Sequence, residues 1–194
     1  MEAIEALLTR RSTRKYRDEA PDRELIEKVI EAGRYAPSGS NSQSTHCIVF
    51  TKKEDLDKMA ELVQDEFAKM EVTKDMYISL KSSVAAARRG KYVFHYGAPV
   101  FIVVANKKGY GNAMADSACA LENMMIAANA YDLGSCWINQ IHWLDENEAI
   151  RGFMLEHGLL EDETVTGGLI LGYAADGLPN RTQVERKGNP VTWA

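Results

Sequence analysis

The sequence predicts a mixed α+β or α/β domain, because helical patterns alternate along the chain with single β-rich segments. Apolar residues recur at spacings of three and four in some stretches, which is typical of amphipathic helices. In others they form short continuous runs, which is typical of buried strands. The composition, 45% hydrophobic and 26% charged over 194 residues, excludes collagen-like, low-complexity and broadly disordered chains. A chain of this size can bury a substantial core.

The first half of the chain is predicted to contain three helices and one strand. Ile4, Leu7 and Leu8 share one side of a short amphipathic helix. Pro37 and Gly39 end the second helix. In order, the predicted elements are a helix over residues 2–10, a helix from the N-cap Asp22 to about Tyr35, a loop over PSGSNSQS, a strand at 47–50 and a charged helix from about Lys53.

The second half begins with a segment, 65–96, that has no clean apolar stripe and looks helical only in pieces. Such a segment is either a mobile lid or a plain surface excursion. A glycine pair inside the last strand predicts a bulge or the close approach of another group. The remaining predicted elements are a central strand at 99–105, a helix over 112–131, a strand at 135–139, a helix over 145–157 and a last strand at 165–173.

The helix over 112–131 is apolar nearly all round, with Asn112, Asp116 and Asn123 on one narrow stripe. It is therefore predicted to be buried nearly all round, at the centre of the core or at a subunit interface. The tail of about 20 residues has no regular period and carries Trp193. Such a tail would fray unless it docks on another surface.

Charge and cysteine content narrow the class of protein. The formal net charge of −5 argues against nucleic-acid binding by the whole chain. No stretch approaches the roughly 20 apolar residues of a membrane span, and no signal peptide is evident, so a cytoplasmic protein without a membrane segment is expected. The three cysteines are too widely spaced for a disulfide framework, and Cys119 and Cys136 are predicted to be small core residues.

Common catalytic and binding motifs do not match. GYGNAM has Met114 where a dinucleotide fingerprint needs its third glycine, and there is no Walker A sequence. The four histidines, at positions 46, 95, 142 and 157, have no metal-ligand spacing. Each is predicted to be a surface residue or a hydrogen-bonded structural residue. No side chain is indicated as catalytic.

The sharpest local feature is RRSTRKY at 10–16, within a stretch of eight residues that holds five basic ones. Arginine presents a planar fork that suits phosphate oxygens, and serine adds a hydroxyl donor. In an extended segment Arg10, Ser12 and Arg14 point to one face and could converge on one anion. The alternative is a solvated basic turn. A second basic group near the C-terminus comprises Arg181, Arg186 and Lys187.

Three further segments carry polar or aromatic groups suited to a flat heterocycle. PSGSNSQ at 37–43 offers small residues and amides, which both donate and accept hydrogen bonds. SCWIN at 135–139 is followed about 28 residues later by TGGLILGY, and the basic tail ends near an aromatic residue. Taken alone, the 37–43 segment is equally well an ordinary loop that ends a helix.

Together and in this order, these segments resemble the nitroreductase family. The resemblance covers nearly the whole chain, through RRSTR, PSGSNSQ, GAPVFIVV, DSACALENMMIAANAYDLGSCWI, GGLILGY and RKGNPVTW. It implies an α+β homodimer with a central, mostly antiparallel sheet flanked by helices. It also implies a single domain over 1–194, with residues 178–194 as an arm around the partner subunit and two FMN molecules at the interface.

The resemblance also implies which residues bind FMN. The phosphate and the pyrimidine edge would be held by Arg10, Arg11, Ser12 and Arg14, with Arg186 and Lys187 closing on the phosphate. The partner chain would contribute Pro37, Ser38, Gly39, Asn41 and Gln43. The flavin ring would be lined by Cys136, Trp137, Gly167 and Gly168. The chain departs from the family in having QST where an aromatic residue often follows QP, and Arg181 is a rival phosphate ligand.

The implied activity is FMN-dependent oxidoreduction, in which NADH or NADPH reduces FMN at N5. The reduced flavin then reduces a small electron-poor acceptor, such as a nitroaromatic compound or a quinone. The implied scheme is ping-pong two-electron transfer. Arg14 is the candidate for stabilising negative charge near N1 and C2=O. Three alternatives remain open. They are dehalogenation, enone reduction or flavin fragmentation on the same fold; a flavin-binding or flavin-sensing module with little turnover; and a cofactor-free dimeric scaffold for acidic partners.

Overall fold

The computed structural model describes residues 1–178 and 184–194. Helices and strands alternate as the sequence pattern predicts, and the fold is α+β. The helices are α1 (Ala3–Thr9), α2 (Arg23–Arg34), α3 (Lys53–Lys69), α4 (Ile78–Arg88), α5 (Ala113–Ala130), α6 (Gln140–Trp143) and α7 (Glu148–Glu156). The strands are β1 (His46–Phe50), β2 (Val100–Lys107), β3 (Gly134–Ile138) and β4 (Glu163–Gly172).

The four strands form one sheet in the order β1-β2-β4-β3, and all three pairings are antiparallel. The apolar run at 99–105 is therefore a central strand, as predicted, and all but the last residue of β2 are buried. The predicted bulge is also present. Val104 pairs with Gly167 and Ala105 pairs with Val165, so Thr166 is an extra residue in β4 next to the glycine pair.

Each face of the sheet is covered by helices. On one face α2 and α5 pack against a core that includes Ile102, Val104 and Leu169. On the other face α3, α4, α6 and α7 pack against Phe101 and Ile170. Successive strand residues point to opposite faces, so a neighbouring pair such as Cys136 and Trp137 belongs to different layers.

Local sequence explains where several helices begin and end. Asp22 and Tyr35 flank α2, as predicted, although the Asp22 side chain makes no capping hydrogen bond. Asn147 caps α7, because its side chain accepts hydrogen bonds from the backbone amides of Ala149 and Ile150, both at 3.1 Å. The predicted inward side of α7 is confirmed, since it buries Ile150, Phe153 and Met154.

Helix α1 turns its apolar side outward, which the sequence does not predict, and α5 leaves part of its surface open. In α1, Ile4 is 69% exposed and Leu7 is 49% exposed, whereas Ala6 is buried. In α5, Asp116 is buried while Met114 and Cys119 are exposed. The prediction that Cys119 is a core residue is therefore wrong, whereas Cys136 is buried as predicted. Asp116 and Asn123 bond to the rest of the subunit, while the exposed part of α5 carries Met114 and Cys119.

The predictions for the remaining segments have mixed outcomes. Within 65–96 the structure has the end of α3, the helix α4 and irregular connections, and the short helix α6 lies where no element was predicted. Residues 184–194 are exposed and contain no helix or strand, in agreement with the pattern of the tail. None of the helices in 1–178 and 184–194 combines the length and the apolar character needed to cross a membrane.

Candidate functional site

The basic stretch at 10–17, called here the arginine segment, lies along the ends of β3 and β4. Thr13 N donates to the carbonyl of Ser135 at 2.9 Å, and Arg17 N donates to the carbonyl of Tyr173 at 2.9 Å. Gly134 makes this approach possible, because a Cβ there would come within 2.7 Å of the Thr13 side chain. The backbone of β3 therefore fixes the register of the arginine segment.

This register buries Thr13 and leaves Ser12 and Arg14 exposed on the other side. Ser12 and Arg14 share a cleft of about 400 Å³, which residues 174–178 also line. The third predicted member of the anion site, Arg10, is not part of this cleft. Its Nε lies 3.6 Å from Glu122 Oε1 on α5. The structure thus brings together two of the three alternate residues and places the third beside α5.

Three other cations of the segment, Arg11, Arg14 and Lys15, have partners within the chain. Arg11 donates from Nη1 to the carbonyls of Arg10, at 2.7 Å, and Leu8, at 3.1 Å. The guanidinium of Arg14 lies 5.9 Å from the ring centroid of Tyr96, a cation–π distance. Lys15 Nζ lies 3.5 Å from Asp176 Oδ2. Each of these contacts is on or near the surface and can exchange for a bound anion at modest cost.

Tyr16 packs against the core and holds the arginine segment in place. Its hydroxyl donates to the carbonyl of Thr13 at 2.8 Å. Burial raises the pKa of Tyr16 well above its ordinary value, so the phenol stays protonated at physiological pH. Tyr16 is therefore a structural support for the segment and not a proton donor or acceptor at neutral pH.

The 37–43 loop follows α2 and turns through an unusual backbone. A short 3-10 turn spans Gly39–Asn41. Three of the loop's residues other than glycine have positive φ, namely Ser40 (51°), Asn41 (53°) and Gln43 (49°). The loop lines a pocket of about 440 Å³ together with the end of α2 and residues Asp116 and Ala120 of α5; the loop members that line it are Pro37, Ser38, Asn41 and Gln43.

Asp116 and Tyr110 hold this loop, and sequence reasoning missed both. Gly39 N donates to Asp116 Oδ1 at 3.0 Å, and the Tyr110 hydroxyl lies 3.1 Å from the carbonyl oxygen of Gly39. In the sequence Asp116 is one member of the polar stripe of α5, and Tyr110 lies in GYGNAM, which does not match the dinucleotide fingerprint. Asp116 is one of only two acids in the largely apolar α5, the other being Glu122, and this is the signal that could have identified it.

The predicted ring-lining residues sit on the paired strands β3 and β4. Trp137 lies against Gly167, where a Cβ would come within 3.1 Å of the indole Nε1. Trp137 Nε1 also donates to Asn139 Oδ1. Gly168 faces the opposite layer, where a Cβ would come within 2.5 Å of the Phe101 ring. Both glycines are thus already required by packing within the subunit.

Cys136 and the tail residues are placed less directly. The Cys136 side chain is buried in the core on the α3 side. Arg186 and Lys187 are exposed in the tail. The rival phosphate ligand Arg181 lies outside the described residues.

The segment at 65–96 docks on the region that follows β3. The Tyr92 hydroxyl donates to Ser83 Oγ at 3.0 Å and accepts from Gln140 Nε2 at 2.9 Å. Burial raises the pKa of Tyr92. Tyr77 and Trp143 meet edge to face with centroids 6.1 Å apart. Side chains from α4 and from its flanks therefore contact α6 directly.

Three histidines are bonded as predicted and one is not. A ring nitrogen of His46 lies 2.9 Å from Glu163. A ring nitrogen of His142 lies 2.6 Å from the carbonyl of Val165, and one of His157 lies 2.7 Å from the carbonyl of Phe153. His95 is buried with neither ring nitrogen hydrogen-bonded to the described part of the chain. Burial lowers its pKa, so the prediction of a surface or hydrogen-bonded residue is wrong for His95.

Comparison with known proteins decides the family. The sequence model described as "Nitroreductase family" matches residues 7–173, which is most of the chain. The chain belongs to the nitroreductase family. The sequence segments that resemble this family thus identified it correctly, and the fold agrees with that membership.

Several relatives in the nitroreductase family resemble the whole chain. A protein of Archaeoglobus fulgidus, named as a candidate NADH dehydrogenase/NAD(P)H nitroreductase, is 30% identical over 90% of this chain and 87% of its own length. The nitrobenzene nitroreductase of Ectopseudomonas oleovorans is 24% identical over 88% of this chain and 86% of its own length.

Two solved nitroreductase structures agree in fold over nearly their full lengths. The nitroreductase with bound FMN from Bacteroides fragilis superposes with a TM-score of 0.87, at 29% identity and 100% coverage of both chains. The nitroreductase with bound FMN from Desulfitobacterium hafniense gives 0.82 at 25% identity, with 100% of this chain and 99% of that chain covered.

Proposed function

We propose that this chain is an FMN-dependent oxidoreductase that takes electrons from NADH or NADPH and passes them to a small electron-poor acceptor. The observation that carries the proposal is the fixed register of the arginine segment against β3, which exposes Ser12 and Arg14 side by side in one cleft. The relatives support it, because solved structures of similar fold hold FMN and the related proteins carry NAD(P)H nitroreductase names.

The residues present suit FMN. Guanidinium groups and a serine hydroxyl are donors to phosphate oxygens, and the arginine segment supplies all of these within five residues. The amide side chains of Asn41 and Gln43 line the pocket beside α5 and both donate and accept hydrogen bonds, as the pyrimidine edge of a flavin requires. Trp137 supplies a partly exposed aromatic surface at the paired strands.

Each group of residues has a distinct part in this proposal. Arg10, Arg11, Ser12 and Arg14 hold the phosphate and the pyrimidine edge. The partner subunit supplies the 37–43 loop through Pro37, Ser38, Gly39, Asn41 and Gln43. Trp137, the backbone of Cys136 and the strand at Gly167 and Gly168 line the ring. Arg186 and Lys187, carried on the arm formed by residues 178–194, complete the phosphate site.

Bound FMN would supply two-electron redox chemistry, with hydride uptake at N5. The protein has to bind and orient it and to bring the two substrates to the same face in turn, which is a ping-pong scheme. The positive charge of Arg14 stabilises negative charge that develops at the pyrimidine edge. No acid–base pair is required of the chain for hydride transfer.

The proposal includes a homodimer with α5 at its centre. The open face of α5 carries Met114, Ala118 and Cys119, and the outward side of α1 adds Ile4 and Leu7. Exposed apolar patches of this kind mark interaction surfaces. A second copy of the chain is the natural partner, because it would bring its own 37–43 loop toward the arginine segment.

Two half-reactions measured separately test this proposal. Stopped-flow mixing of FMN-loaded protein with NADH or NADPH under anaerobic conditions is expected to reduce the flavin in a single phase. Subsequent mixing with p-benzoquinone or nitrobenzene is expected to reoxidise it, and steady-state double-reciprocal plots are expected to be parallel. Intersecting plots would contradict the ping-pong scheme, and FMN-loaded protein that neither donor reduces would contradict the oxidoreductase activity.

A further inference from the structure

The 37–43 loop holds a backbone conformation that Ser40 and Gln43 do not favour and that Asn41 adopts more readily. Ser40, Asn41 and Gln43 have φ values of 51°, 53° and 49°. Positive φ is uncommon for residues other than glycine, and such strain persists only where surrounding contacts enforce it. Strained backbone of this kind is concentrated at binding sites. The contacts that enforce the loop conformation are therefore of functional interest.

The carboxylate of Asp116 is the centre of those contacts. It accepts hydrogen bonds from Gly39 N, at 3.0 Å to Oδ1 and 3.2 Å to Oδ2, and from Ser42 Oγ at 3.4 Å. The Tyr110 hydroxyl lies 3.0 Å from Asp116 Oδ2 and 3.1 Å from the carbonyl oxygen of Gly39, so its single proton is shared between two acceptors. Asp116 is only 6% exposed, which strengthens these bonds.

The side chains of Asn112 and Tyr110 pack closely around Gly39, and a side chain at this position would displace them. A Cβ at this position would lie 2.1 Å from Asn112 Nδ2 and 2.6 Å from the Tyr110 hydroxyl. The loop backbone is thus drawn directly onto the start of α5. One further bond closes the loop on itself, since Gln43 N donates to Ser38 Oγ at 3.1 Å.

The two sides of helix α5 therefore make different contacts. One side carries Asp116 to the 37–43 loop, and the other presents the open face with Met114 and Cys119.

We infer that Asp116, with Tyr110 as its partner, is a positioning residue for FMN: it fixes the 37–43 loop in the strained conformation in which the side chains of Asn41 and Gln43 meet the flavin. This inference rests on the proposed function, since it requires that the chain bind FMN. The contacts of Asp116 are with the loop, through Gly39 N and Ser42 Oγ, so the proposed effect passes through the loop.

The test uses three variants of the full chain. Asp116→Asn keeps the shape but replaces a charged acceptor by a neutral amide, and Tyr110→Phe removes only the hydroxyl. Glu156→Gln, at an exposed acid on α7, is the matched control. For each protein three quantities are measured: the melting temperature of the apoprotein, the Kd for FMN by fluorescence titration, and the visible circular dichroism and midpoint potential of the bound flavin.

Asp116→Asn is expected to weaken FMN about tenfold and Tyr110→Phe about threefold, with an altered flavin dichroism and potential in both. Glu156→Gln is expected to match the wild type in all measurements. Should Asp116→Asn fail to fold, Tyr110→Phe carries the test alone. Wild-type Kd, dichroism and potential in folded variants would overturn the inference and leave the proposed function intact, even if their apoproteins melt lower. Absence of FMN binding by the wild type would instead overturn the proposed function and the inference with it.

Discussion

The Nε of Arg10 lies 3.6 Å from the Oε1 of Glu122, and this ion pair joins the arginine segment to α5. Both side chains are partly exposed, so solvent screens the pair and it contributes little to folding. The ion pair matters because it places the Arg10 guanidinium beside a carboxylate. A phosphate held by Arg10 would have to replace Glu122 as the partner of the guanidinium or share the guanidinium with it.

Replacing Arg10 by alanine is expected to weaken FMN binding, because a charge-assisted phosphate contact worth roughly 1.5–3 kcal/mol is lost. This corresponds to a Kd raised roughly 10- to 150-fold, measured by fluorescence titration of the apoprotein. Arg23→Ala removes a surface arginine on α2 and serves as the control.

The companion variant Glu122→Gln separates the phosphate contact from the ion pair. It removes the competing carboxylate and is expected to bind FMN as tightly as the wild type or more tightly. Equal losses of affinity in Arg10→Ala and Glu122→Gln would show that the ion pair, and not a phosphate contact, is what matters.

A charge on the outward side of α1 is expected to disrupt the proposed dimer. Ile4→Asp would place an unpaired carboxylate in a buried interface, which is costly. The dissociation constant of the dimer, measured by sedimentation equilibrium, should rise at least about tenfold. Bound FMN should be lost as the dimer dissociates. The matched control is Ile78→Asp on α4, since Ile78 is exposed to a similar degree. Equal effects of the two substitutions would argue against α1 as part of the interface.

Two glycine substitutions are expected to change the free energy of unfolding in opposite directions. A Cβ at Gly168 would lie 2.5 Å from the fully buried Phe101 ring, so Gly168→Ala should destabilise the fold by about 1–3 kcal/mol. A Cβ at Gly152, inside α7, meets nothing within 4 Å, so Gly152→Ala should stabilise by about 0.5–1 kcal/mol. Urea unfolding of the apoproteins measures both. A neutral Gly168→Ala would show that Phe101 can move aside.

Stability is expected to fall as the pH is lowered from 7 to 5, with His95 as one cause. Burial lowers its pKa in the folded state, so the unfolded chain binds a proton more readily. The stabilising contribution of neutral His95 is therefore present above its ordinary pKa near 6.5 and is lost below it. The melting temperature of the wild type minus that of His95→Leu should be smaller at pH 5 than at pH 8. The same melting-temperature difference at both pH values would contradict the role of His95 in the pH dependence of stability.

Much of the fold could be predicted because the relevant signals are local. The apolar run of β2, the boundaries of α2 and the glycine pair beside the bulge in β4 are each evident within a few residues. The role of Asp116 is not, because its partner Gly39 is 77 positions away in the sequence. The four-residue helix α6 is too short for a helical period to be seen.

The outward side of α1 shows a second reason why sequence reasoning stopped short. Periodicity reports which residues share a side of a helix, but not which neighbour that side will face. Ile4 and Met114 belong to apolar sides that remain open within one subunit. The candidate site was predicted as separate pieces for the same reason. Family resemblance supplied the relation between the arginine segment and the 37–43 loop.

The most direct test of the central claim is an absorbance spectrum of the purified protein from about 300 to 550 nm, recorded after FMN is added and unbound flavin is removed. The protein is expected to show flavin bands that bleach on anaerobic addition of NADH or NADPH. A colourless protein after incubation with FMN, or bound flavin that neither nucleotide bleaches, would contradict the assignment of this chain as an FMN-dependent NAD(P)H oxidoreductase.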